Sequence, residues 1–233
     1  MPGGGAGGSP APPRSPADTE AQRAAARGEA FAYVCNRCSL CCFDKVIQVN
    51  PYEIARLARQ VALSTGAFIS RYTEDGVGAR LTRREDGSCS FLGPEGCGVH
   101  PDRPLVCRIY PLGRHVAADG TERWSHLAPH PETKGVYGAD GTIGAYVVAQ
   151  GALLYMQATD EYAAWLRRAY DVVAEAGEAA GDGLSAADLL DMDSVIATRC
   201  RETGMEEPLD IEARKALHLA ILAEWLDKIE GGA

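Results

Sequence analysis

Four thiols within eight residues constrain this chain more than any other feature. The stretch CNRCSLCC runs from Cys35 to Cys42, and Cys35, Cys38 and Cys41 follow one another at C-x2-C-x2-C spacing. This spacing lets a loop wrap around a cubane iron–sulfur cluster, as in ferredoxins, which take a fourth ligand from farther along the chain. Cysteine pairs at C-x2-C also bind zinc, so the spacing alone leaves the metal open.

Three more cysteines follow in short motifs. They are Cys89 in GSCSFL, Cys97 in EGCGVH and Cys107 in LVCRIYP, whereas Cys200 stands alone in a predicted helix. A metal neutralises clustered thiolates, which otherwise oxidise or stay protonated. We therefore expect Cys200 to be a buried apolar residue. The predicted cofactor and metal ligands are Cys35, Cys38, Cys41, Cys42, Cys89, Cys97 and Cys107.

Seven sulfurs exceed one four-ligand site and fall short of two. One arrangement is a single 4Fe-4S cluster with spare thiols, and another is two zinc ions. A third adds zinc to the cluster at Cys89, Cys97, His100 and Cys107, although a histidine beside Pro101 in a loop is more often exposed. Because adjacent side chains diverge in extended chain, one of Cys41 and Cys42 is expected to serve a second centre or a hydrogen bond. Arg37, Arg103 and Arg108 are candidates to offset the negative charge of the centre.

The composition excludes several classes of protein. The chain has 233 residues, 46% of them hydrophobic, which is enough to bury a core without disulfides. A net charge of -9 without a basic tract makes nucleic acid an unlikely partner. The N-terminus lacks the apolar run of a secretory signal, and residues 143–156 are too short and interrupted to span a membrane. We therefore predict a cytoplasmic protein with no membrane span, in a compartment where disulfides are rare.

The chain divides into three predicted regions, and its fold class is predicted to be α+β. Residues 1–28, rich in Gly, Pro, Ala and Ser, are predicted to be a disordered tail, with order beginning near Phe31. Residues 29–135 form a small, loop-rich, cysteine-ligated metal-binding domain with short strands. Residues 136–233 form a helical C-terminal region packed on it.

Periodicity and turn residues predict the individual elements. FDKVIQVN and ARLTRRE are predicted strands, and Asp119-Gly120 suits a type I′ hairpin turn. Asn50 and Pro51 open a helix, and a shorter one follows around Ala67 to Tyr72. Ser185 with Asp188 resembles a capping box, Asp210 can cap the last helix, and Gly231 lies just past its end. The C-terminal helices are predicted near 142–157, 159–176, 185–200 and 209–229.

The histidines outside the cysteine motifs suggest a weaker site. His115, His126 and His130 flank the predicted hairpin, and two of them with Glu132 or Asp119 form a candidate second metal or acid–base site. Loop histidines more often face solvent, so the sequence favours ordinary surface residues here.

The ordered motifs resemble the YkgJ-like cysteine-cluster proteins, a family described as zinc- or iron-chelating. CNRCSLCC is followed by CSFLGPEGCGVHPDRPLVCRIYPL, which matches the family's CxxCxxCC, CxFL, R-P and C-R-x-aromatic-P elements in order. The resemblance covers roughly residues 33 to 115. Ser39 replaces a frequent glycine, and Val99-His100 replaces an Ile-Tyr pair, so His100 occupies an aromatic position. In this pattern Tyr110 is expected to pack beneath the site.

The resemblance implies metal binding, with an iron–sulfur cluster (4Fe-4S) or zinc as the cofactor. Flagellin lysine N-methylases carry a similar cysteine cluster, which suggests a protein-modifying transferase as an alternative and a protein as a possible partner or substrate. Whether the chain is an enzyme stays open, since no glycine-rich strand-to-helix loop is present and GDG at 181–183 follows a predicted helix. The remaining alternative is a structural zinc module.

Overall fold

The computed structural model describes residues 25–76, 79–176 and 189–232. Its strands form three antiparallel pairs, β1 with β6, β2 with β3 and β4 with β5. The strands are β1 Ala30–Val34, β2 Leu92–Gly93, β3 Gly96–Cys97, β4 Leu112–Val116, β5 Glu122–His126 and β6 Val136–Thr142. The helices are α1 Pro51–Gln60, α2 Thr65–Tyr72, α3 Leu105–Ile109, α4 Ile143–Ala149, α5 Leu153–Ala176, α6 Met192–Thr203 and α7 Ile211–Gly232. Short strand pairs followed by a helical part confirm the predicted α+β class.

Helix α1 begins where the sequence predicts. Asn50 accepts the N–H of Glu53 at 3.0 Å, Glu53 accepts the N–H of Asn50 in return, and Pro51 occupies the first turn. This capping box satisfies two of the N–H groups that a helix start leaves without partners. The shorter helix α2 is also confirmed and begins two residues earlier than predicted.

Two of the three apolar clusters in the described residues surround the cysteine-bearing segments, and the third joins α5 to α7 around Leu226. The larger of the two joins Trp124 of β5 and Ile143 of α4 to Ile196 of α6 and Leu222 of α7, so strands and helices share one core. The smaller of the two lies under α1 and α2, around Phe68, and Cys89 and Cys97 pack against it. The sulfur-bearing segments therefore rest on an apolar base.

The described structure starts at Ala25, before the predicted start of order near Phe31, so residues 25–28 of the predicted disordered tail are ordered and the rest of that prediction lies outside the described residues. Ala25 exchanges both backbone hydrogen bonds with Trp124, at 2.8 and 3.0 Å, and only 5% of Ala25 is exposed. Arg27 pairs with Glu122 through two contacts of 2.6 and 2.9 Å. A stretch of weakly apolar residues is ordered here because a neighbouring strand edge supplies its hydrogen bonds, which composition does not reveal.

Three strand and turn predictions are wrong in detail. FDKVIQVN turns at Asp44, whose φ is 53°, and pairs only through isolated bridges of Phe43 with Ser88 and Gln48 with Arg80. ARLTRRE likewise pairs through isolated bridges. The hairpin at Asp119-Gly120 is confirmed, but its turn is not type I′, since within this described turn the positive φ belongs to Gly120 alone.

The helical part differs from prediction mainly at its breaks. The predicted helix 142–157 is interrupted at Gly151, whose φ is +62°, and the next helix starts at Leu153 rather than 159. Helix α6 begins at Met192 with Asp191 as its cap, whereas the predicted Ser185–Asp188 box lies outside the described residues. Asp210 does accept the N–H of Ala213 at 2.9 Å, but α7 continues through Gly231.

The β1–β6 pair concerns the predicted domain boundary at residue 136, and the helices concern the predicted absence of a membrane span. Because β6 pairs with β1, residues 136–142 share a sheet with the strand that leads into Cys35. Among the helices within the described ranges, none is both long and apolar enough to cross a bilayer.

Candidate metal centre

The cysteine-rich loop folds back on itself directly after β1. Arg37 and Ser39 adopt left-handed φ values of 52° and 63°, and Ser39 opens a 3-10 turn over Leu40–Cys42. The N–H of Cys42 donates to the carbonyl of Ser39 at 2.9 Å. This reversal keeps the four thiols within one short loop instead of spreading them along a strand.

Backbone hydrogen bonds bring distant cysteines to this loop. The N–H of Cys89 donates to the carbonyl of Cys42 at 2.8 Å, although the two residues are 47 positions apart in the sequence. The carbonyl of Cys89 accepts from Leu92 at 2.9 Å, and Leu92 pairs with Cys97 across the β2–β3 hairpin. Cys42, Cys89 and Cys97 are therefore tied together through the main chain.

Cys107 approaches the same group from helix α3. Dense surroundings and the charges of Cys89, Cys97 and Cys41 raise the pKa of Cys107. The Cys107 residue is nevertheless exposed to solvent. Cys41, Cys42, Cys89, Cys97 and Cys107 therefore influence one another's charge, although within the described residues they do not form a ready ligand set.

The first two cysteines of the motif lie on the side of the loop that faces the tyrosines. Cys35 is exposed, and the sulfur of Cys38 stands 4.0 Å from Thr133 Oγ1. The N–H groups of Lys134 and Leu40 lower the pKa of Cys38. Cys38 is therefore held by the segment before β6, which sequence spacing does not indicate.

Four tyrosines line this side of the loop. Around Tyr33, the ring centroids lie 4.9 Å from Tyr137, 6.1 Å from Tyr110 and 6.5 Å from Tyr146. Burial raises the pKa of Tyr110, and the nearby thiols Cys41, Cys38 and Cys35 add to the increase. Tyr110 thus lies where the cysteine thiols influence its charge, and its ring contacts Tyr33; that it packs beneath a metal stays a prediction.

The adjacent cysteines differ in acidity. A hydrogen bond from the Cys42 thiol lowers the pKa of Cys41 to about 7, burial opposes this shift, and Lys45 adds to it. The same hydrogen bond, together with burial, raises the pKa of Cys42. Cys41 is consequently the thiol of this pair that ionises near neutral pH, the form that binds a metal.

The three predicted arginines occupy different positions. Burial raises the pKa of Cys97, and the positive charge of Arg103 opposes that increase. Arg108 turns instead to the helical part, where it donates to Tyr155 Oη at 2.7 Å and to the Gln150 carbonyl at 3.0 Å. Arg37 is exposed and lowers the pKa of His100, after burial and Arg103.

The histidines of the proposed second site bind different partners. His115 Nε2 lies 2.9 Å from Ser125 Oγ, His126 Nε2 lies 3.5 Å from a carboxylate oxygen of Glu29, and His130 Nδ1 accepts the N–H of Glu132 at 3.1 Å. These contacts do not bring the histidines to a common point. His100 is half-buried, and its Nδ1 lies 3.4 Å from Arg103 Nη1.

The donor set fits a soft metal. All eight cysteines lie in the described ranges and are free thiols, and Cys200 is buried in the helical core as predicted. Within those ranges, no three Cys, His, Asp or Glu side chains already stand as a ligand set, so ligation requires the thiols to turn towards one another. Thiolates select zinc and iron–sulfur clusters over hard cations such as Mg²⁺ and Ca²⁺.

Sequence reasoning missed residues that support the site. Lys45 acts on Cys41, Thr133 approaches Cys38, and Glu53 holds the helix of Cys107. Of these, Glu53 had a sequence signal, since it lies three residues after Asn50 at the capping-box spacing. The other two depend on tertiary contacts.

Comparison with known proteins agrees with this geometry. Residues 34–126 match the CxxCxxCC family model, whose description reads "Putative zinc- or iron-chelating domain". The match includes all seven candidate ligands and ends with β5. Searches of the curated proteins and of the solved structures gave no match. The family match supports metal binding by this part of the chain.

Proposed function

We propose that residues 34–126, which match a metal-chelating domain, hold a 4Fe-4S cluster through cysteine thiolates. Cys35, Cys38 and Cys41 would be its core ligands, with a fourth from Cys42, Cys89, Cys97 or Cys107. The spacing of the first three favours this cluster, because ferredoxins use it for three of their four ligands. When bound, such a cluster supplies a one-electron redox centre.

The hydrogen bond from Cys89 N to Cys42 O is the observation that carries this proposal. It joins the cysteine-rich loop to a segment that also bears Cys97, so later thiols lie beside the C-x2-C-x2-C loop. A lone loop of four cysteines offers no such remote ligand. The hydrogen bond from Cys42 lowers the pKa of Cys41 to about 7, so Cys41 supplies a thiolate near neutral pH, whereas Cys42, Cys97 and Cys107, whose pKa values are raised, would lose their protons on binding the metal.

A structural zinc ion is the second candidate, and the C-x2-C pair of Cys35 and Cys38 favours it, because zinc sites commonly use cysteine pairs at this spacing. Cys89 and Cys97 stand eight positions apart and would join such a site as further ligands from another segment. In this case zinc would fix the loop-rich region and have no redox role.

Elemental analysis of anaerobically purified protein separates the two candidates. Iron and acid-labile sulfide in equal amounts, with visible absorption, support the cluster, whereas zinc in a colourless protein supports the second candidate. Cys38→Ala should remove most of the bound metal. Cys200→Ala is the matched control, because it deletes a buried thiol away from the loop and should leave metal content unchanged.

Further roles remain predictions. A cytoplasmic location, a protein partner and activity as a protein-modifying transferase each extend beyond metal binding. Calorimetry of the metal-loaded protein with S-adenosylmethionine tests the transferase, and the absence of binding heat would count against it.

A further inference from the structure

Cys107 lies on α3, a five-residue helix from Leu105 to Ile109. So short a helix has little stability of its own, because the first turns of a helix cost more entropy than their hydrogen bonds return. The position of Cys107 therefore depends on what holds α3. Two buried residues with ionisable side chains, Arg108 and Glu53, hold α3 in place.

Arg108 fixes α3 to the junction between α4 and α5. Its guanidinium donates to Tyr155 Oη at 2.7 Å, to the Gln150 carbonyl at 3.0 Å and to the carbonyl of Pro101. The guanidinium also lies 4.0 Å from the centroid of the Tyr155 ring, within the range of a cation–π interaction. With 7% of Arg108 and 2% of Tyr155 exposed, this contact is protected from water.

Glu53 holds the other end of α3. Its carboxylate accepts the N–H of Leu105, the first residue of α3, at 2.7 Å, and the N–H of Asn50 at 3.0 Å. Only 4% of Glu53 is exposed. The same carboxylate therefore caps two helices, and the start of α3 is fixed relative to α1.

We propose that Arg108 and Glu53 are positioning residues for Cys107, so that the ligand geometry of the metal centre depends on the helical part through Tyr155 and Gln150. This inference rests on the proposed metal-binding function. A shell of supporting contacts orients ligands in metal sites, and its loss typically weakens metal binding by about 10- to 100-fold.

Cobalt binding to the full chain tests this positioning. Cobalt(II) bound by thiolates gives a sulfur-to-metal charge-transfer band whose intensity rises with the number of thiolate ligands. For Arg108→Met we expect an affinity for Co²⁺ lower by about 10-fold and a band reduced to the intensity of Cys107→Ala. Tyr155→Phe, which removes one acceptor and keeps the ring, should shift both readouts less and in the same direction.

Arg168→Met is the matched control. Arg168 also binds partners through two contacts, to Asp227 at 2.6 Å and Glu230 at 2.5 Å, but it lies 13 residues farther along α5 than Tyr155. That separation corresponds to roughly 20 Å along a helix. Loss of this more exposed clamp should leave the cobalt band unchanged, so an effect of removing any paired arginine is separated from misplacement of Cys107.

The outcomes distinguish this inference from the function on which it rests. If the wild type binds Co²⁺ through thiolates and folded Arg108→Met gives the same affinity and band, the positioning role is wrong. Should Arg108→Met fail to fold, Tyr155→Phe decides by the same two readouts. A wild-type chain that binds neither Co²⁺ nor Zn²⁺ and contains no iron refutes the metal site itself, and the positioning role with it.

Discussion

The carboxylate of Glu53 on α1 accepts the N–H of Leu105, the first residue of α3, at 2.7 Å. This bond spans 52 positions of sequence and links the helix that follows the cysteine-rich loop to the helix that carries Cys107. It also places an acidic group in the interior, where water does not stabilise its charge. The consequences are measurable as a function of pH.

Glu53→Gln should remove a pH dependence of stability between about pH 4.5 and 7. Burial raises the pKa of Glu53 from 4.5 to about 7 in the folded protein, against opposing hydrogen bonds from Leu105 and Asn50. The folded state therefore binds more protons than the unfolded state in this range, and stability falls as pH rises through it. The wild type should lose on the order of 3 kcal/mol across the range because of this group.

Urea unfolding of the reduced, metal-free protein at several pH values measures this effect. The variant should show a flatter pH profile than the wild type, because its amide stays neutral throughout. Equal slopes in the two proteins would mean that Glu53 does not titrate near neutral pH.

Glu122→Gln should remove a stabilising contribution that is lost as pH falls, the opposite of the effect of Glu53. Hydrogen bonds from Arg27 lower the pKa of Glu122 to about 2, with burial opposing and Arg114 and Trp124 adding to the decrease. Its stabilising contribution is complete above about pH 4.5 and is lost as pH falls towards 2. Because Arg27 is half exposed, we expect a loss of about 2 kcal/mol at neutral pH.

The difference between wild type and Glu122→Gln should shrink on acidification, and thermal unfolding at pH 7 and pH 3 measures it. Glu132→Gln is a suitable control, since this carboxylate is exposed. A gap between wild type and Glu122→Gln that stays constant from pH 7 to pH 3 would contradict the assigned ion pairs.

Gly151→Ala should destabilise the junction between α4 and α5. Gly151 has a φ of +62°, and a Cβ there would lie 3.7 Å from Arg108 Nη1, an ordinary contact distance. The cost is therefore one of backbone strain, about 1 kcal/mol. Gly120→Ala, at a φ of +81° with open space around it, carries the same strain in the hairpin turn. Denaturant unfolding should give similar losses for both variants, and a stabilised Gly151→Ala protein would refute the conformation assigned to the junction.

Local signals in the sequence predicted the parts of the fold that depend on neighbouring residues. Asn50, Pro51 and Glu53 form a capping box by spacing alone, and α1 begins there. Gly151 also had a local signal as a glycine within an apolar run, but an isolated glycine is compatible with a continuous helix, so the break was missed. The segment Phe43–Asn50 alternates like a strand, yet it forms only isolated bridges with its neighbours. Alternation in one segment does not show whether a continuous partner strand is available.

The cysteine spacing indicated a shared site but not the way the chain assembles it. The bond from Cys89 to Cys42 and the contact of Cys38 with Thr133 depend on chain reversals far from the motif. The expected role of Arg108 near the thiols also followed from sequence adjacency to Cys107. Its side chain turns away because Tyr155 and Gln150 offer a buried set of acceptors.

Native mass spectrometry of anaerobically purified protein tests the metal centre most directly. Our account predicts a folded chain heavier than the 24.8 kDa polypeptide by one 4Fe-4S cluster, with the increment lost in Cys35→Ala, Cys38→Ala and Cys41→Ala and kept in Cys200→Ala. A folded protein at the bare polypeptide mass, with neither iron nor zinc bound, would contradict it.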